Sequence, residues 1–414
     1  MERLDNSKLS PLQKHILDVI SNDKIVAIVG GPGTGKTVLA MSGMDKVCGN
    51  TSSRRQILLT YSKPLSRMID GCYDNQKTVA QTIHQFCYYF AKEIEKTSPR
   101  FLMEHKNDDR ALSNIIIREY GYENTPDRWP AWNKILDRYN LLNNTQKQKV
   151  RFNDIFIDEG QDLPNEAYSF FKAISDRVIV TYDDAQEVGN DQANSNEIIR
   201  KAGIECNRIL CVLGLEENFY DLIDNFRNTK QIESVAKLFY NNYGNNLFSL
   251  RAEGANREGK KPVVYNCKFD QDYIDEIVDL SYQTNKQTGI IVPDKSTFWT
   301  LKKMIESSVE DDLIPEDKFF YKYGNDDNMK EKGARLNDTG VFLTTFRNAK
   351  GMEFDDVYIF NCQRVALSTP SEKNSFYVAV TRAKENLTLV FDGNTDSPVM
   401  KIVNNNEGLF EIQK

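Results

Sequence analysis

Short runs of aliphatic and β-branched residues recur along the chain, separated by stretches with helical spacing. Five fall in the first half: KIVAIVG (24–30), QILLTY (56–61), DIFIDE (154–159), RVIVTY (177–182) and RILCVL (208–213). They are apolar almost throughout rather than alternating, which marks strands buried on both faces of a parallel sheet. A second series follows, with PVVYNC (262–267), TGIIV (288–292), GVFLTTF (340–346), DVYIF (356–360) and NLTLVF (386–391), again with helical segments between most of them. Residues 88–150 differ: they are rich in aromatic and charged residues, with helical periodicity and few strand runs. The pattern predicts two α/β domains with parallel sheets, one formed by 1–87 and 151–224, the other by 225–414, with 88–150 as a small helical insertion in the first.

Composition narrows this picture. At 414 residues, the chain is long enough for two cores. A net charge of −7 excludes a protein that holds nucleic acid by bulk positive charge, though a local basic groove remains compatible with it. No apolar run approaches the roughly 18 residues of a membrane span, and the start MERLDNSKLSPLQ has no apolar leader core, so a cytoplasmic protein without a membrane partner is expected. Seven cysteines (48, 72, 87, 206, 211, 267 and 362) form no C-x-x-C pair, and histidines stand only at 15, 84 and 105. That scatter predicts reduced, mostly buried thiols and no zinc site.

Chemistry enters with GGPGTGKT, which follows the strand IVAIV and precedes a helix-like run. The loop Gly30, Gly31, Pro32, Gly33, Thr34 and Gly35 would turn the backbone N–H groups of its residues other than Pro32 onto phosphate oxygens, the helix start adds positive potential, Lys36 supplies a point charge, and the Thr37 hydroxyl can ligate Mg²⁺. The run FNDIFIDEGQDL (152–163) begins apolar and ends on acids. In a parallel sheet the ligand lies beyond the carboxyl ends of the strands, so Asp158 and Glu159 should face the phosphates, one as a Mg²⁺ contact and the other positioning or deprotonating water. ATP and Mg²⁺ are the expected cofactors.

Further boxes give the chain a family likeness. DEGQD (158–162) resembles the D-E-x-Q-D box of superfamily 1 helicases of the UvrD/Rep type, with Gln161 linking nucleotide state to bound strand. LSPLQ is similar to that family's adenine-reading motif, implying that Gln13 reads the base. ILLTYSKPLSR, with Tyr61 and Lys63, and TIHQF, with Thr82, His84 and Phe86, resemble the boxes that line the nucleic-acid path. YDDAQ resembles G-D-x-x-Q with Tyr182 in place of glycine, implying that Gln186 senses the γ-phosphate. NFRNT implies that Phe226 stacks on adenine and Arg227 reaches the γ-phosphate. TFRNAKGMEF resembles T-x-H-x-x-K-G-L-E-F, implying that Glu353 contacts the ribose and Arg347 replaces a histidine on the strand. YVAVTRAK supplies Arg382 as a second arginine finger. These boxes span 9–384 in the family's order.

The resemblance implies a nucleic-acid-dependent ATPase that translocates on or unwinds single-stranded or partly duplex DNA, with RNA not excluded and, by analogy, 3′ to 5′ polarity. Arg54, Arg55, Lys63 and Arg67 could supply phosphate contacts, although a solvated basic face has the same composition. Two departures favour a rival. Gln186 is followed by EVGNDQANSN, with no aromatic platform, and only a short charged stretch precedes T-x-H-x-x-K-G where relatives carry a large insertion. The rival is a nucleic-acid-sensing ATPase subunit that does not unwind unaided and works with a nuclease or defence partner protein, as in an anti-phage assembly of the Gabija type.

Overall fold

The computed structural model describes residues 9–48, 54–61, 63–70, 80–97, 109–120, 130–183, 208–215, 219–239, 254–266, 268–323, 326–332, 338–393 and 396–413. Nine of the ten apolar runs coincide with strands or lie beside them. Strands β1 (Ile25–Gly30), β2 (Gln56–Thr60), β3 (Ala80–Thr82), β4 (Phe152–Ile157), β5 (Ser175–Tyr182) and β6 (Phe219–Leu222) form one sheet in the order β3-β2-β4-β5-β1-β6, every pair parallel. Alternation assigns each strand two buried faces: Ala27 and Val29 of β1 join one core, whereas Val26 and Ile28 join the core on the opposite face. This is why these runs read as continuously apolar.

The run 208–213, expected as a strand, is instead the α-helix Arg208–Leu213. Six apolar residues do not by themselves separate strand from helix. Here Ile209, Leu210 and Leu213 are buried at helical spacing, and the Leu213 carbonyl accepts from Lys172 Nζ at 3.4 Å on the helix Asn165–Ile174. The place beside β1 goes to β6, whose partly polar sequence FYDL gave little signal.

The second sheet contains β9 (Val263–Asn266), β10 (Gln287–Val292), β11 (Phe319–Tyr323), β12 (Asp326–Asp327), β13 (Gly340–Thr345), β14 (Phe354–Ile359), β15 (Ala383–Phe391) and β16 (Glu411–Gln413) in the order β12-β11-β13-β10-β14-β15-β9-β16. Only the β11–β12 pair is antiparallel. It too is covered on both faces, Ile290 and Ile291 of β10 pointing into opposite cores. Thus the chain has two α/β units with RecA-like parallel sheets. β7 (Asp224–Thr229) and β8 (Gly254–Arg257) pair with each other, apart from both sheets.

The described residues of 88–150 are helical, in Ile83–Thr97, Asp109–Tyr120, Trp132–Asn140 and Asn144–Val150. Among the described residues no helix is long and apolar enough to cross a membrane, and no cluster of His, Cys, Asp or Glu is arranged to hold a metal. Cys48, Cys87 and Cys362 are free, the last two buried; Cys211 is disulfide-bonded, unlike the reduced thiols expected throughout.

Candidate functional site: a nucleotide cleft between two sheets

The carboxyl edge of the first sheet carries the P-loop, Gly30 to Thr37, leading into the helix Lys36–Cys48. Gly33 and Gly35 adopt φ of 75° and 84°, a left-handed backbone open to glycine at little cost. A Cβ at Gly33 would also collide with Asn225 Oδ1 and the Arg227 Cβ, so the residue admits the NFRN segment onto the loop. Thr34 Oγ1 donates to the Gly31 carbonyl at 2.9 Å. The Lys36 amine is buried and folds back to donate to the carbonyls of Gly30 and Gly31 at 2.7 and 2.9 Å. Any phosphate taken by Lys36 exchanges for these two bonds.

Beyond β4 stand the acids. Asp158 accepts from Thr37 Oγ1 and from Thr181 Oγ1, each at 2.6 Å, so three elements converge on one carboxylate. Burial and the neighbouring Glu159 push the Asp158 pKa upward against these hydrogen bonds and Lys36. Glu159 has φ 59°, a strained left-handed conformation for a residue with a side chain, at the start of the short turn Gly160–Asp162. Burial alone would raise its carboxyl, but Lys350, Lys36 and the Gln161 amide reverse that and draw it down to about 2. Gln161 Nε2 donates to Glu159 at 2.5 Å while its Oε1 accepts from the Asp183 backbone N–H at 3.0 Å, so this side chain ties the acid to the end of β5.

Lys350, between β13 and β14, carries the second sheet into this cluster. Its amine is 4% exposed, 2.5 Å from Asp162 Oδ2 and 3.6 Å from Glu159 Oε2. Burial disfavours its charge, yet Asp162, Glu159 and Asp183 together raise its pKa. Lys350 lies within TFRNAKGMEF, but its target could not be read locally because the partner is 188 positions away. Thr181 and Asp183 escaped notice for the same reason.

The segment 225–228 bridges the halves. The Phe226 backbone N–H donates to the Gly33 carbonyl at 2.9 Å, while Asn228 Nδ2 donates to the carbonyls of Thr381 and Ala383 at 3.2 and 2.6 Å. Asn225 Oδ1 accepts the N–H groups of Arg227 and Asn228, which fixes the local turn. Phe226 is 55% exposed beside the P-loop. Arg227 donates to Glu353 at 2.8 Å, and that pairing, with help from Lys384, outweighs burial and lowers the Glu353 carboxyl. Arg382 is fully buried, donating to the carbonyls of Val378 at 2.9 Å and Met352 at 3.1 Å. Burial and Arg227 pull it down to about 10 against the opposing fields of Glu159 and Glu353, so both arginines and both acids share one electrostatic neighbourhood.

Gln13 is engaged at both ends of its amide. It forms a capping box with Ser10 at the start of the helix Pro11–Asn22, and its Nε2 donates to the Thr34 carbonyl at 3.2 Å. Reading a base would require it to release one of them.

Residues expected on the nucleic-acid path divide. Arg347 donates to the Tyr61 hydroxyl at 3.1 Å, joining the two halves at an exposed point, and Arg67 lies 4.0 Å from Asp327 of β12. Thr82 is buried and its hydroxyl donates to Gln85 Oε1 at 3.0 Å; His84 is half-buried on the next helix turn. Phe86 is 2% exposed and packs against Phe90, Phe152 and Phe171, so it is a core residue rather than a surface for bases. Arg54 pairs with buried Asp154 and Arg55 with Glu93, which leaves them as structural cations here. Lys63 begins the helix Lys63–Asp70, and Gln186 lies outside the described residues.

Comparison with known proteins follows this geometry. An AAA domain model matches residues 13–189, and a model of the UvrD-like helicase C-terminal domain matches residues 325–393. None of the curated proteins matches the chain. Among solved structures, the C-terminal domain of a possible DNA helicase from Lactobacillus plantarum WCFS1 is 22% identical, covering 46% of this chain and 99% of its own, with a TM-score of 0.33. Matched in this order, one over the sheet that bears the P-loop and acids and the other over strands of the sheet that brings in Lys350 and Arg382, the two models support a UvrD-like superfamily 1 helicase.

Proposed function

We propose that the protein is a nucleic-acid-dependent ATPase that hydrolyses MgATP between its two sheets and uses the reaction to translocate on, or unwind, DNA. The observation that carries this reading is the convergence of Lys36, Thr37, Asp158 and Glu159 from the first unit with Arg227, Lys350 and Arg382 from the other side of the cleft. Thr37 Oγ1 and Asp158 Oδ2, 2.6 Å apart, are hard oxygen donors suited to Mg²⁺, which when bound would offset charge on the phosphates. Lys36 and the P-loop N–H groups would hold the phosphates, Phe226 would stack on the base, and Glu353 would reach the ribose after yielding Arg227. Glu159, ionised and held by Gln161, would orient the attacking water and take its proton. Arg227 and Arg382 would neutralise charge that develops during transfer.

The test is the ATPase rate titrated with single-stranded DNA, duplex DNA and RNA at one fixed salt concentration, because salt alone shifts such affinities by orders of magnitude. Stimulation by single strands is expected. A rate indifferent to every strand would sink the proposal.

One observation favours the sensor reading: in 310–332 the described residues form β11, β12 and short helical turns at the edge of the second sheet, in the place where relatives carry a large insertion. Strand-displacement assays with and without a nuclease or defence partner separate the two readings. Unaided unwinding rejects the sensor.

A further inference from the structure

The turn between β13 and β14 presents three side chains in three directions. Arg347 meets Tyr61 at the exposed rim, Lys350 enters the acids of the first unit, and Glu353 pairs with Arg227. The turn is stiff: the Ala349 N–H donates to Thr345, the Met352 N–H to Ala349, and buried Arg382 donates to the Met352 carbonyl. Opposite lies another stiff turn, Gly160–Asp162, whose carbonyl at Gly160 accepts from Tyr168 at 2.5 Å and whose Gln161 holds Glu159. Lys350 is the buried link between these turns, closer to Asp162 than to Glu159.

We propose that Lys350 is a positioning residue, a cation supplied by the second unit that pins the Gly160–Asp162 turn and thereby aims Glu159, so that hydrolysis is competent only with the two units closed. This inference rests on the ATPase reading. Glu159 occupies a left-handed conformation that its own segment does not favour, so an external anchor is what a well-aimed carboxylate there requires. Asp162 and Gln161 transmit the anchor, since both are buried, the Asp162 backbone N–H donates to the Glu159 carbonyl at 3.2 Å and the Gln161 amide donates to the Glu159 carboxylate. Arg347 stands three positions before Lys350 on the same turn, so a strand held by Arg347 would bear on the turn that carries the anchor.

The experiment uses the full chain and compares Lys350→Met, Asp162→Asn and the double variant by thermal melting and by kcat and KM for ATP at saturating oligo(dT). Lys350→Met is expected to melt lower, because buried Asp162 loses its lysine, and to lose kcat by about a hundredfold, the scale of an ångström-sized misplacement, with little change in KM. Asp162→Asn alone, in which Lys350 still reaches Glu159, should lose less. In the double variant the carboxylate that lost its lysine is neutral, so the melting temperature should recover while kcat stays at the Lys350→Met level. A double variant whose kcat returns to that of Asp162→Asn overturns the proposal and leaves Lys350 a structural ion-pair partner. A wild-type chain that shows no ATP turnover, with or without a strand, refutes the ATPase reading itself, and this one with it.

Discussion

The two ends of the cleft are built to different tolerances. At the nucleotide end, Lys36, Asp158, Glu159, Gln161, Asp162, Lys350 and Arg382 are all buried, each with hydrogen bonds or ion pairs that fix its direction. At the end proposed to hold the strand, an exposed Arg347–Tyr61 hydrogen bond and a 4.0 Å Arg67–Asp327 approach span the gap. Phosphoryl transfer depends on charges held in place before the reaction begins. A single strand is flexible, and sequence-tolerant binding needs cations and flat faces that can adapt. The contrast is what a device needs if it performs one exact reaction against a substrate that must keep moving.

Breaking the tight end should have the largest effect. Lys36→Ala and Glu159→Gln are each expected to lower turnover by about three orders of magnitude or more without unfolding the chain, checked by ATPase assay alongside circular dichroism. Full turnover in Glu159→Gln would remove the water-activating role from that residue. The two arginines then sharpen the comparison from within. Arg227→Ala should lose turnover on the order of a thousandfold while melting almost normally, since a half-buried pair such as Arg227–Glu353 contributes at most about 1 kcal/mol. Arg382→Ala should lose turnover and also melt lower, because the buried Met352 carbonyl loses the Arg382 donor, at about 1–3 kcal/mol, while the Val378 carbonyl keeps the Thr381 hydroxyl.

Phe86→Ala tests whether a residue from a strand-lining box acts on the strand or on the fold. A loss of about 3–5 kcal/mol in denaturant unfolding is expected, with strand affinity unchanged in whatever remains folded. The smallest effect belongs to the loose end. Arg347→Ala should weaken oligo(dT) binding a few-fold and reduce the salt slope by about one charge, leaving strand-free turnover in place. A collapse of strand-free turnover in that variant would erase the distinction between the two ends.

Legibility followed locality. The parallel strands were readable because each run is buried on both faces, and the P-loop and its acids because their roles follow from a few adjacent residues. The run 208–213 failed because six apolar residues carry no period long enough to choose helix or strand, and β6 failed because FYDL is half polar. The turn joining β13 to β14 shows the limit most clearly: Arg347 and Glu353 were assigned through their box, whereas Lys350 between them acquires its partner only when the chain closes over 188 positions. Phe86 shows the opposite error, since a family box does not reveal which of its side chains fold inward.

β1, the strand that delivers the P-loop, lies between β5 and β6, with Ala27 paired to Val180 on one side and to Phe219 on the other. Both neighbours follow it far along the chain, and contacts so distant in sequence are slow to form. The P-loop edge of the sheet is therefore expected to be completed late in folding: a nucleotide bound there would stabilise the finished protein rather than template it, and a chain halted before residue 219 would carry the P-loop motif without its completed sheet.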